Sequence, residues 1–446
     1  MKYGDKTVLV SCQGLFVSLA ERLARDFGRV LLHVPFAASF PTLNQIKVGS
    51  GIEGVEKVDS FFGRHFKDVD LFVFPDLHNG ELAVYLEGEG KRVWGARRGE
   101  DIEHHRALCK RVMEQHGLPV QPWKVLTGMK QLRSHLKAND QQHVKIDVAR
   151  GVTESFFSEN YDTVAPKLDE IQHTLGCFAE SMEFIVEDDL PDRVEVGIDT
   201  FCIDGANPSL TLAGIEVKDC GYLGQMVPWA QIPEPLRRWN EEMAEVFEGY
   251  GYRGFLSNEI RIGKDKVPYM IDATCRAPCP PSELEQELWT NLAEILWEGA
   301  DGNLVEPVAA AKWGVEVILK SPFAEKNHQP VTFDPKYANQ IKLFNSCEVD
   351  GVRYVLPLDD EMEEIGAVVG WGDTIEAAMA HAKEAGESIE GYKIKFGMGP
   401  AENANEEIAK LEKLGVSPFG AKAEKPAKKV VTRSGKRVSV KKRKKS

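Results

Sequence analysis

Strand and helix patterns alternate over residues 1–98, and no other feature constrains the fold as strongly. Four apolar runs typical of strands alternate with two amphipathic segments typical of helices: residues 8–10, 30–34, 71–74 and 92–94, and residues 15–27 and 82–86. Such alternation predicts a parallel sheet with helices on its faces. A polar segment, residues 75–80, follows the third strand, at the end of the strand where ligands bind in open sheets of this kind.

The length and composition are typical of a soluble globular protein with more than one structural unit. A chain of 446 residues is too long for one ordinary core and suggests about two to four units. No apolar run approaches the roughly 18–20 residues of a transmembrane helix, and the amino-terminal segment lacks the apolar core of a signal peptide. Eight cysteines without CxxC spacing argue against zinc and fit a reducing compartment. We therefore expect a cytoplasmic protein that does not bind membranes.

The net charge of −14 conceals an asymmetry between the body of the chain and its carboxyl-terminal tail. Residues 421–446 contain twelve Lys or Arg and one Glu, so the tail carries +11 and residues 1–420 carry −25. The tail has too little apolar content to form a core, and we expect it to be disordered. Residues 422–446 are either a solubilising tail or an electrostatic tether to nucleic acid, because Lys and Arg clusters release counterions from phosphates.

Two segments that have the pattern of neighbouring strands carry polar residues at matching positions. Glu259 lies in the first, and Asp272, Thr274 and Arg276 occupy alternate positions in the second, after a turn at residues 263–266. An antiparallel hairpin would place the last three on one face. Facing carboxylates repel each other unless a cation lies between them, and an Arg suits the phosphates that Mg²⁺ brings to a site. The alternative is a solvated hairpin without a ligand.

This hairpin resembles the metal-binding strands of the ATP-grasp superfamily, in which an acid on one strand is followed by Glu-x-Asn-x-Arg on the next. Here the second part stands as Asp272-x-Thr274-x-Arg276, so Asp keeps the charge with a shorter reach and Thr keeps an oxygen ligand. The order of further segments is similar to that of the phosphoribosylamine–glycine ligase family over most of residues 1–400. Divergent relatives of this kind also occur in bacteriophages, which leaves a bacteriophage origin open.

The resemblance implies a set of phosphate-binding cations before the hairpin. Lys110 and Pro119 keep a family spacing, and one helical turn earlier Arg106 stands where the family places a Lys on an ATP phosphate. Lys145 matches the Lys of the family's lid strand. Arg150 stands where a Lys is expected in the family's Gly-rich phosphate loop, which is shorter here.

The resemblance also implies the groups that hold the rest of the nucleotide. Glu187 and Asp188, which follow an apolar strand, resemble the family's hinge to the adenine ring. Glu195 resembles the Glu that binds the ribose. The implied cofactors are therefore ATP and Mg²⁺, or Mn²⁺ in its place.

The metal ligands and the catalytic groups come from the hairpin and the lid strand. By resemblance, Glu259, Asp272 and Thr274 would hold the metal ion. Arg276 would face the developing acyl phosphate and, together with Lys145, act in catalysis. The implied reaction is ATP-dependent ligation of a small carboxylic acid to an amine through an acyl phosphate, which requires a closed site because water intercepts that intermediate.

The fold implied by the resemblance is α/β, with an ATP-grasp domain preceded and followed by smaller units. Residues 1–98 would form an amino-terminal parallel α/β domain of the pre-ATP-grasp type. Residues 99–312 would form the ATP-grasp domain, including a lid subdomain at about 120–186. Residues 313–420 would form a small carboxyl-terminal α/β unit, followed by the disordered basic tail, residues 421–446.

Two departures from the family lie on the substrate side. The family's Gly-rich Arg-Glu-His-Ala turn, which serves the phosphorylated sugar amine, is replaced by residues 11–15, and its Gly-Pro-Glu loop by residues 74–76. We therefore expect a substrate other than phosphoribosylamine. One alternative is a relative that binds nucleotide without catalysis, because Arg106, Asp272 and Thr274 also depart from the pattern. The other is a nucleic-acid-associated protein tethered by its basic tail.

Overall fold

The computed structural model describes residues 2–35, 47–147, 155–217, 221–357, 363–397 and 399–419. Their strands form one parallel sheet and three antiparallel sheets, accompanied by helices. The mixed α/β class predicted from the sequence is therefore confirmed. Within these ranges, no helix is both long enough and apolar enough to cross a membrane.

The alternating pattern at the amino terminus folds into a five-stranded sheet in the order β3-β2-β1-β4-β5, with every pair parallel. The elements are β1 (Tyr3–Ser11), α1 (Val17–Leu23), β2 (Phe27–His33), β3 (Val55–Val58), α2 (Arg64–Asp68), β4 (Leu71–Val73), α3 (Gly80–Gly88) and β5 (Arg92–Trp94). The chain order reverses at β1, so a crevice lies beyond the carboxyl ends of β1 and β4. Residues 75–80 lie at that crevice, as predicted.

A four-stranded antiparallel sheet in the order β6-β9-β7-β8 follows two helices, α4 (Asp101–His104) and α5 (Arg106–Gln115). It comprises β6 (Trp123–Thr127), α6 (Met129–Leu136), β7 (Gln142–Ile146), β8 (Ser155–Ser158), α7 (Tyr161–Leu175) and β9 (Glu183–Asp188). The two helices α6 and α7 pack on the sheet around a separate apolar core that includes Leu132, Leu168 and Phe184. We call β6 to β9 with α6 and α7 the lid unit.

The largest sheet has eight antiparallel strands in the order β14-β13-β10-β11-β12-β15-β20-β17. Its strands and helices begin with β10 (Val194–Ile203), β11 (Leu210–Val217), β12 (Gly221–Pro228), α8 (Glu234–Glu242), α9 (Ala244–Gly249), β13 (Arg253–Ile262), β14 (Pro268–Thr274), α10 (Ser282–Leu288) and α11 (Leu292–Ala300). They continue with β15 (Trp313–Lys320), β16 (Gln329–Val331), β17 (Ile341–Leu343), β18 (Ser346–Val349), β19 (Val352–Val355), β20 (Glu364–Gly372), α12 (Ile375–Glu387) and α13 (Gly399–Leu414). Because β15 pairs with β12, this sheet runs across residue 312, while β16, β18 and β19 form a separate small sheet.

The two faces of the eight-stranded sheet differ in polarity, as the alternation along β10 illustrates. Val194, Val196 and Ile198 point to one face and share an apolar core with α8, α9 and Leu411 of α13. Successive side chains of a strand point to opposite faces, so Glu195 and Asp199 point the other way. That second face is covered in part by α10 and α11, which also pack on the parallel sheet. The uncovered part of it carries the candidate site.

Two helical stretches of the chain are each divided into two helices. The charged segment 99–117 contains α4 and α5, which are separated at His105, where the backbone leaves the helical region (φ −105°, ψ 79°). The segment 282–298 is divided in the same way, because Trp289 adopts ψ 91° after α10. Trp289 is fully buried, so tertiary packing at this residue ends a helix that the apolar pattern alone would continue.

Candidate active site on the eight-stranded sheet

The predicted acidic hairpin is formed by β13 and β14. Glu259 pairs directly with Asp272, and Ser257 pairs with Thr274. Directly opposite residues of antiparallel strands point to the same face with Cβ atoms about 4.5–5.5 Å apart. The pairing shifts by one residue between Glu259 and Ile260, so a bulge follows the acidic pair. The two carboxylates predicted to hold a metal therefore lie side by side on the second face of the sheet.

A cavity of about 190 Å³ lies beside this acidic pair. Its walls come from five strands and from the segment that follows β14, and its polar lining residues are Glu195, Asp199, Glu216, Tyr222, Ser257, Glu259, Asp272, Thr274, Arg276 and Cys279. Carboxylates outnumber cations in this lining. The cavity is therefore suited to a cation, such as Mg²⁺ with its bound water.

The pKa of Glu259 also favours a cation at this site. Burial raises the pKa of Glu259 well above its ordinary value, and the neighbouring carboxylates of Asp272, Glu195 and Glu216 raise it further. Among the residues that the structure describes, no three His, Cys, Asp or Glu side chains converge to hold a metal by themselves. Mg²⁺ usually takes one or two carboxylates and fills its remaining positions with water and phosphate oxygens. The pair Glu259 and Asp272, with the Thr274 hydroxyl nearby, fits that ligand set.

Arg276 lies two residues beyond β14 and is held by an acid that the sequence did not reveal. Its Nε donates to Oε1 of Glu103 at 3.0 Å, and the backbone N–H of Cys275 donates to Oε2 of the same carboxylate at 2.5 Å. Burial opposes the charge on Arg276, but Glu103 and Asp76 outweigh it and raise its pKa. Glu103 is 4% exposed and lies on α4. It therefore fixes both the side chain and the backbone of the segment that carries Arg276.

A second unpredicted feature is a buried carboxylate in the cavity wall. Asp199 accepts a hydrogen bond from Ser257 Oγ at 2.6 Å and another from Tyr222 Oη at 2.5 Å. Burial raises the pKa of Asp199 to about 6, against the opposing effect of these two donors. An Asp in the middle of the otherwise largely apolar strand β10 was the available sequence signal.

Glycine forms the floor of the cavity next to the acidic pair. Gly197 on β10 lies directly opposite Glu259 on one side and Gly214 on the other. A Cβ atom at Gly197 would have its nearest contacts at 3.3 Å and 3.5 Å, whereas one at Gly214 would lie 2.2 Å from Tyr222 Oη. The tyrosine ring thus fills the space above Gly214, and the space above Gly197 remains open to a ligand.

Two of the predicted phosphate-binding cations, Arg106 and Lys145, lie in an adjoining crevice between α5, β14 and the lid unit. Arg106, Lys110, Lys145 and Glu187 line this crevice together with Asp272, which also lines the larger cavity. Lys110 Nζ lies 2.6 Å from Glu187 Oε1, and Lys145 Nζ lies 3.8 Å from Oε2. Burial raises the pKa of Glu187, but the two lysines outweigh it and the net shift is downward. Lys110 belongs to this cluster, although the sequence provided only its spacing from Pro119.

The remaining predicted residues are more dispersed. Glu195 lines the larger cavity and pairs with Arg261, with Oε2 2.9 Å from Nε. Asp188 ends β9, where its Oδ1 accepts from Gln142 Nε2 at 3.1 Å, and it lines neither space. Arg150 lies outside the residues that the structure describes. Its predicted contact with phosphate stays a prediction.

No family model and no curated protein matches the sequence. Solved structures do match the fold. Phosphoribosylamine–glycine ligase from Thermotoga maritima superposes with a TM-score of 0.63 and 17% identity, over 87% of this chain and 98% of that one. The biotin carboxylase domain of 2-oxoglutarate carboxylase from Hydrogenobacter thermophilus, solved with MgADP, ADP and bicarbonate, gives 0.63 and 13%, over 88% and 92%.

N5-carboxyaminoimidazole ribonucleotide synthetase from Thermus thermophilus is a third similar structure, with a TM-score of 0.56 and 14% identity over 85% of this chain and 98% of that one. All three are ATP-grasp enzymes. The chain therefore has the ATP-grasp fold, and the predicted structural resemblance to phosphoribosylamine–glycine ligase is confirmed. At these identities the comparison establishes the fold alone.

Proposed function

We propose that the protein is an ATP-dependent carboxylate–amine ligase. The observation that carries the proposal is the direct pairing of Glu259 with Asp272 at a cavity that Arg276 also lines. Paired carboxylates beside a guanidinium suit the charges of a nucleotide bound with a divalent cation. The fold supports the proposal, because the similar structures include one with bound MgADP.

In the proposed reaction, a carboxylate oxygen of the acid attacks the γ-phosphorus of ATP and ADP leaves. The amine nitrogen then attacks the carbonyl carbon of the acyl phosphate, phosphate leaves, and the nitrogen loses a proton. Neither step needs a nucleophile on the protein, so the protein contributes positioning, charge neutralisation and exclusion of water.

The cofactor proposed is ATP with Mg²⁺, or with Mn²⁺ in its place. Glu259, Asp272 and Thr274 would hold the cation, which supplies charge neutralisation at the transferred phosphoryl group. The donor set fits because it consists of hard oxygen ligands and because a cation would stabilise the charged form of Glu259, which burial and neighbouring carboxylates disfavour.

The proposed roles of the other residues follow from their positions. Arg276, held by Glu103, would stabilise the acyl phosphate. Lys145 and Arg106, with Arg150 from the phosphate loop, would bind the phosphates.

The base and ribose contacts form a separate part of the proposal. Glu187 and Asp188 would hold the adenine at the end of β9, and Glu195 would bind the ribose from the cavity wall. These assignments rest on the resemblance in sequence together with the placement of Glu195 in the cavity.

We also propose that the acid and amine differ from glycine and phosphoribosylamine. Two residues that depart from the family, Pro75 and Asp76, lie next to Arg276, which is proposed to stabilise the acyl phosphate. The Ala277 N–H donates to the carbonyl of Pro75 at 2.8 Å, and Asp76 raises the pKa of Arg276. A steady-state assay with glycine and phosphoribosylamine tests this point. Turnover at an ordinary enzymatic rate of roughly 1–10³ s⁻¹ would show that the departures are tolerated.

A hydroxylamine trap for the acyl phosphate tests the ligase assignment. The protein is incubated with Mg-ATP, hydroxylamine and each of a panel of small carboxylic acids, and hydroxamate and ADP are measured together. We expect hydroxamate to form only when ATP and one particular acid are both present. Asp272→Asn should abolish its formation. Binding of ATP without acid-dependent hydroxamate across the panel would favour the alternative of a nucleotide-binding relative without catalysis.

A second candidate function concerns the basic tail, which lies outside the described residues. Twelve Lys or Arg against one Glu favour sequence-independent binding to nucleic acid. DNA binding over a salt series compares the full chain with a form that ends at Gly420. The full chain should bind and weaken steeply with salt. Equal binding by both forms, or none by either, would leave the tail as a solubilising segment.

A further inference from the structure

Asp199 lies at one end of a row of three β10 residues that face the larger cavity. Glu195 lies at the other end, and Gly197, opposite Glu259, lies in the middle. Alternate residues of a strand are about 7 Å apart, so Asp199 lies on the side of the acidic pair away from Glu195. The strand β14 runs in the same direction as β10, because both pair antiparallel with β13, and Arg276 follows its end. Asp199 and Arg276 therefore lie on the same side of the acidic pair, the side of the proposed acyl phosphate.

Two hydroxyl groups hold the Asp199 carboxylate in place. Its Oδ1 accepts from Ser257 Oγ at 2.6 Å, and its Oδ2 accepts from Tyr222 Oη at 2.5 Å. Tyr222 belongs to β12, and its ring extends over Gly224 and over Gly214 of β11, two glycines that pair directly. A Cβ atom would lie 2.2 Å from the tyrosine Oη at Gly214 and 2.5 Å from its Cε1 at Gly224. The two glycines thus leave room for a tyrosine that reaches Asp199 from two strands away.

The charge of Asp199 is not balanced by a cation from the described part of the chain. Both of its donors are neutral hydroxyls, and it forms no ion pair with a Lys, Arg or His of those residues. By contrast, the buried Glu103 pairs with Arg276. Glu187 likewise pairs with Lys110. Because a buried carboxylate without a counter-charge is costly, this end of the cavity is suited to a cation that a substrate brings.

A primary ammonium ion is the cation that fits this position. A carboxylate has about four lone-pair sites, and the two hydroxyls occupy two of them, so N–H donors can approach from the cavity. A divalent cation would need several further oxygen ligands, and the paired carboxylates that could provide them lie in the next row of the sheet. Burial raises the pKa of Asp199 only to about 6, so the carboxylate is largely ionised at neutral pH.

We propose that Asp199 binds the ammonium form of the amine substrate and takes its first proton, while Tyr222 and Ser257 position the carboxylate. The assignment rests on the proposed function and adds the substrate class to it. The amine is a primary amine that carries a positive charge in solution, and it binds on the Arg276 side of the acidic pair.

Two protons are lost between the ammonium ion and the amide. Asp199 accepts the first proton and passes it to water, which frees the nitrogen lone pair to attack the carbonyl carbon of the acyl phosphate. The bond between that carbon and the phosphate oxygen then breaks, and the oxygen keeps the electron pair. The second proton leaves the nitrogen and departs with the phosphate as hydrogen phosphate. A carboxylate whose pKa lies near the working pH is suited to such a transfer.

Two small amines of different charge test the assignment in one assay. The acid that gives hydroxamate in the trap is supplied with Mg-ATP at pH 8, and the product is measured with either ammonium chloride or hydroxylamine. At this pH ammonium is mostly charged and hydroxylamine is mostly neutral. The test variants are Asp199→Asn and Tyr222→Phe. The control is Glu285→Gln, because Asp199 is close enough to raise the pKa of Glu285, which does not line the cavity.

We expect Asp199→Asn to lower kcat/KM for ammonium about tenfold or more, the effect of losing a hydrogen bond between charged groups. Its kcat/KM for hydroxylamine should change little, which also shows that the variant is folded. Tyr222→Phe should shift the ratio of the two values in the same direction by a smaller factor, mainly through KM for ammonium. Glu285→Gln should match the unsubstituted protein with both amines.

Three results would overturn the amine-binding role of Asp199 and leave the ligase assignment in place. They are equal losses with both amines in Asp199→Asn, unchanged use of ammonium in that variant, and no use of ammonium by the unsubstituted protein. If Asp199→Asn does not fold, the ratio measured in Tyr222→Phe decides. If no acid of the panel gave hydroxamate, the proposed function would fail and the amine site would fail with it.

Discussion

Two groups of carboxylates lie on the same side of the eight-stranded sheet, and their surroundings differ. Glu259 and Asp272 line an open cavity of about 190 Å³. Glu283, Glu285 and Glu316, from α10 and β15, are at most 1% exposed. We call the first group the open pair and the second group the sealed cluster. The same residue type thus occurs once where a ligand can reach it and once where none can.

In the sealed cluster, burial raises the pKa of each Glu, and neighbouring carboxylates raise it further for Glu285 and Glu316. The pKa of Glu259 in the open pair is raised as well, so the open cavity and the neighbouring cations, and not the direction of the pKa shifts, separate the two groups. Within the described residues, neither carboxylate oxygen of Glu285 has a hydrogen-bond partner. The open pair instead lies near the cations Lys145 and Arg276. An acidic cluster therefore indicates a metal site only where a cavity and neighbouring cations accompany it.

The largest difference between the two groups should appear in nucleotide affinity. Asp272→Asn removes a charge from the open pair and should weaken Mg-ATP binding by about 1.5–3 kcal/mol, the value of a lost hydrogen bond or contact to a charged group. Glu285→Gln, in the sealed cluster, should leave affinity unchanged. Isothermal titration calorimetry of both variants measures the difference. Equal affinities for Asp272→Asn and the unsubstituted protein would remove the open pair from the site.

A matched pair of glycine substitutions tests where the open space lies. Gly214→Ala places a methyl group 2.2 Å from Tyr222 Oη, and overpacking of this kind should cost about 1–3 kcal/mol of unfolding free energy. Gly197→Ala meets its nearest atom at 3.3 Å and should change stability less while it weakens nucleotide binding. Urea unfolding and calorimetry separate the two effects. Stability lost mainly in Gly197→Ala would show that the space above Gly197 is not a ligand site.

The sealed cluster should have a smaller effect, which is a dependence of the unfolding free energy on pH. The pKa of Glu285 in the folded protein lies above its unfolded value of 4.5. At pH values between these two pKa values, Glu285 therefore binds more protons in the folded than in the unfolded protein. The unfolding free energy should therefore fall as pH rises through that window, by at most about 1.4 kcal/mol per pH unit for this group. Glu285→Gln should flatten this fall, and Glu245→Gln, at an exposed position on α9, should not. Unfolding curves from pH 5 to pH 8 check it, and parallel profiles for all three proteins would be evidence against a protonated Glu285.

The sequence predicted those parts of the site that short-range patterns determine. Alternation along two strands around a short turn was sufficient to predict a hairpin with Glu259 and Asp272 on neighbouring strands, because the side-chain period of a strand is two. Their direct pairing depends on the bulge between Glu259 and Ile260, which the sequence did not predict. The resemblance to a family placed Lys145 on a lid strand, and Lys145 does cross to the strand of Asp272. Alternating strands and helices likewise predicted the parallel sheet.

The parts that the sequence did not predict depend on distant contacts. Glu103 holds Arg276 across 173 positions of the chain, and a single Glu on a charged helix carries no signal of such a partner. The contact between Tyr222 and Asp199 depends on the order of the strands in the sheet, and the sequence pattern does not predict that order. The short strand β8 shows no clear alternation of apolar and polar residues in the sequence, and its pairing with β7 determines its position.

The central claim is that the open pair, and not the sealed cluster, binds the nucleotide's divalent cation. The most direct measurement is a crystal structure of the protein with Mn²⁺ and a non-hydrolysable ATP analogue, with anomalous diffraction data that locate manganese. The account predicts an anomalous peak between the carboxylates of Glu259 and Asp272, with the triphosphate on the side of Lys145. A peak among Glu283, Glu285 and Glu316, or a bound nucleotide with no metal at Asp272, would contradict it.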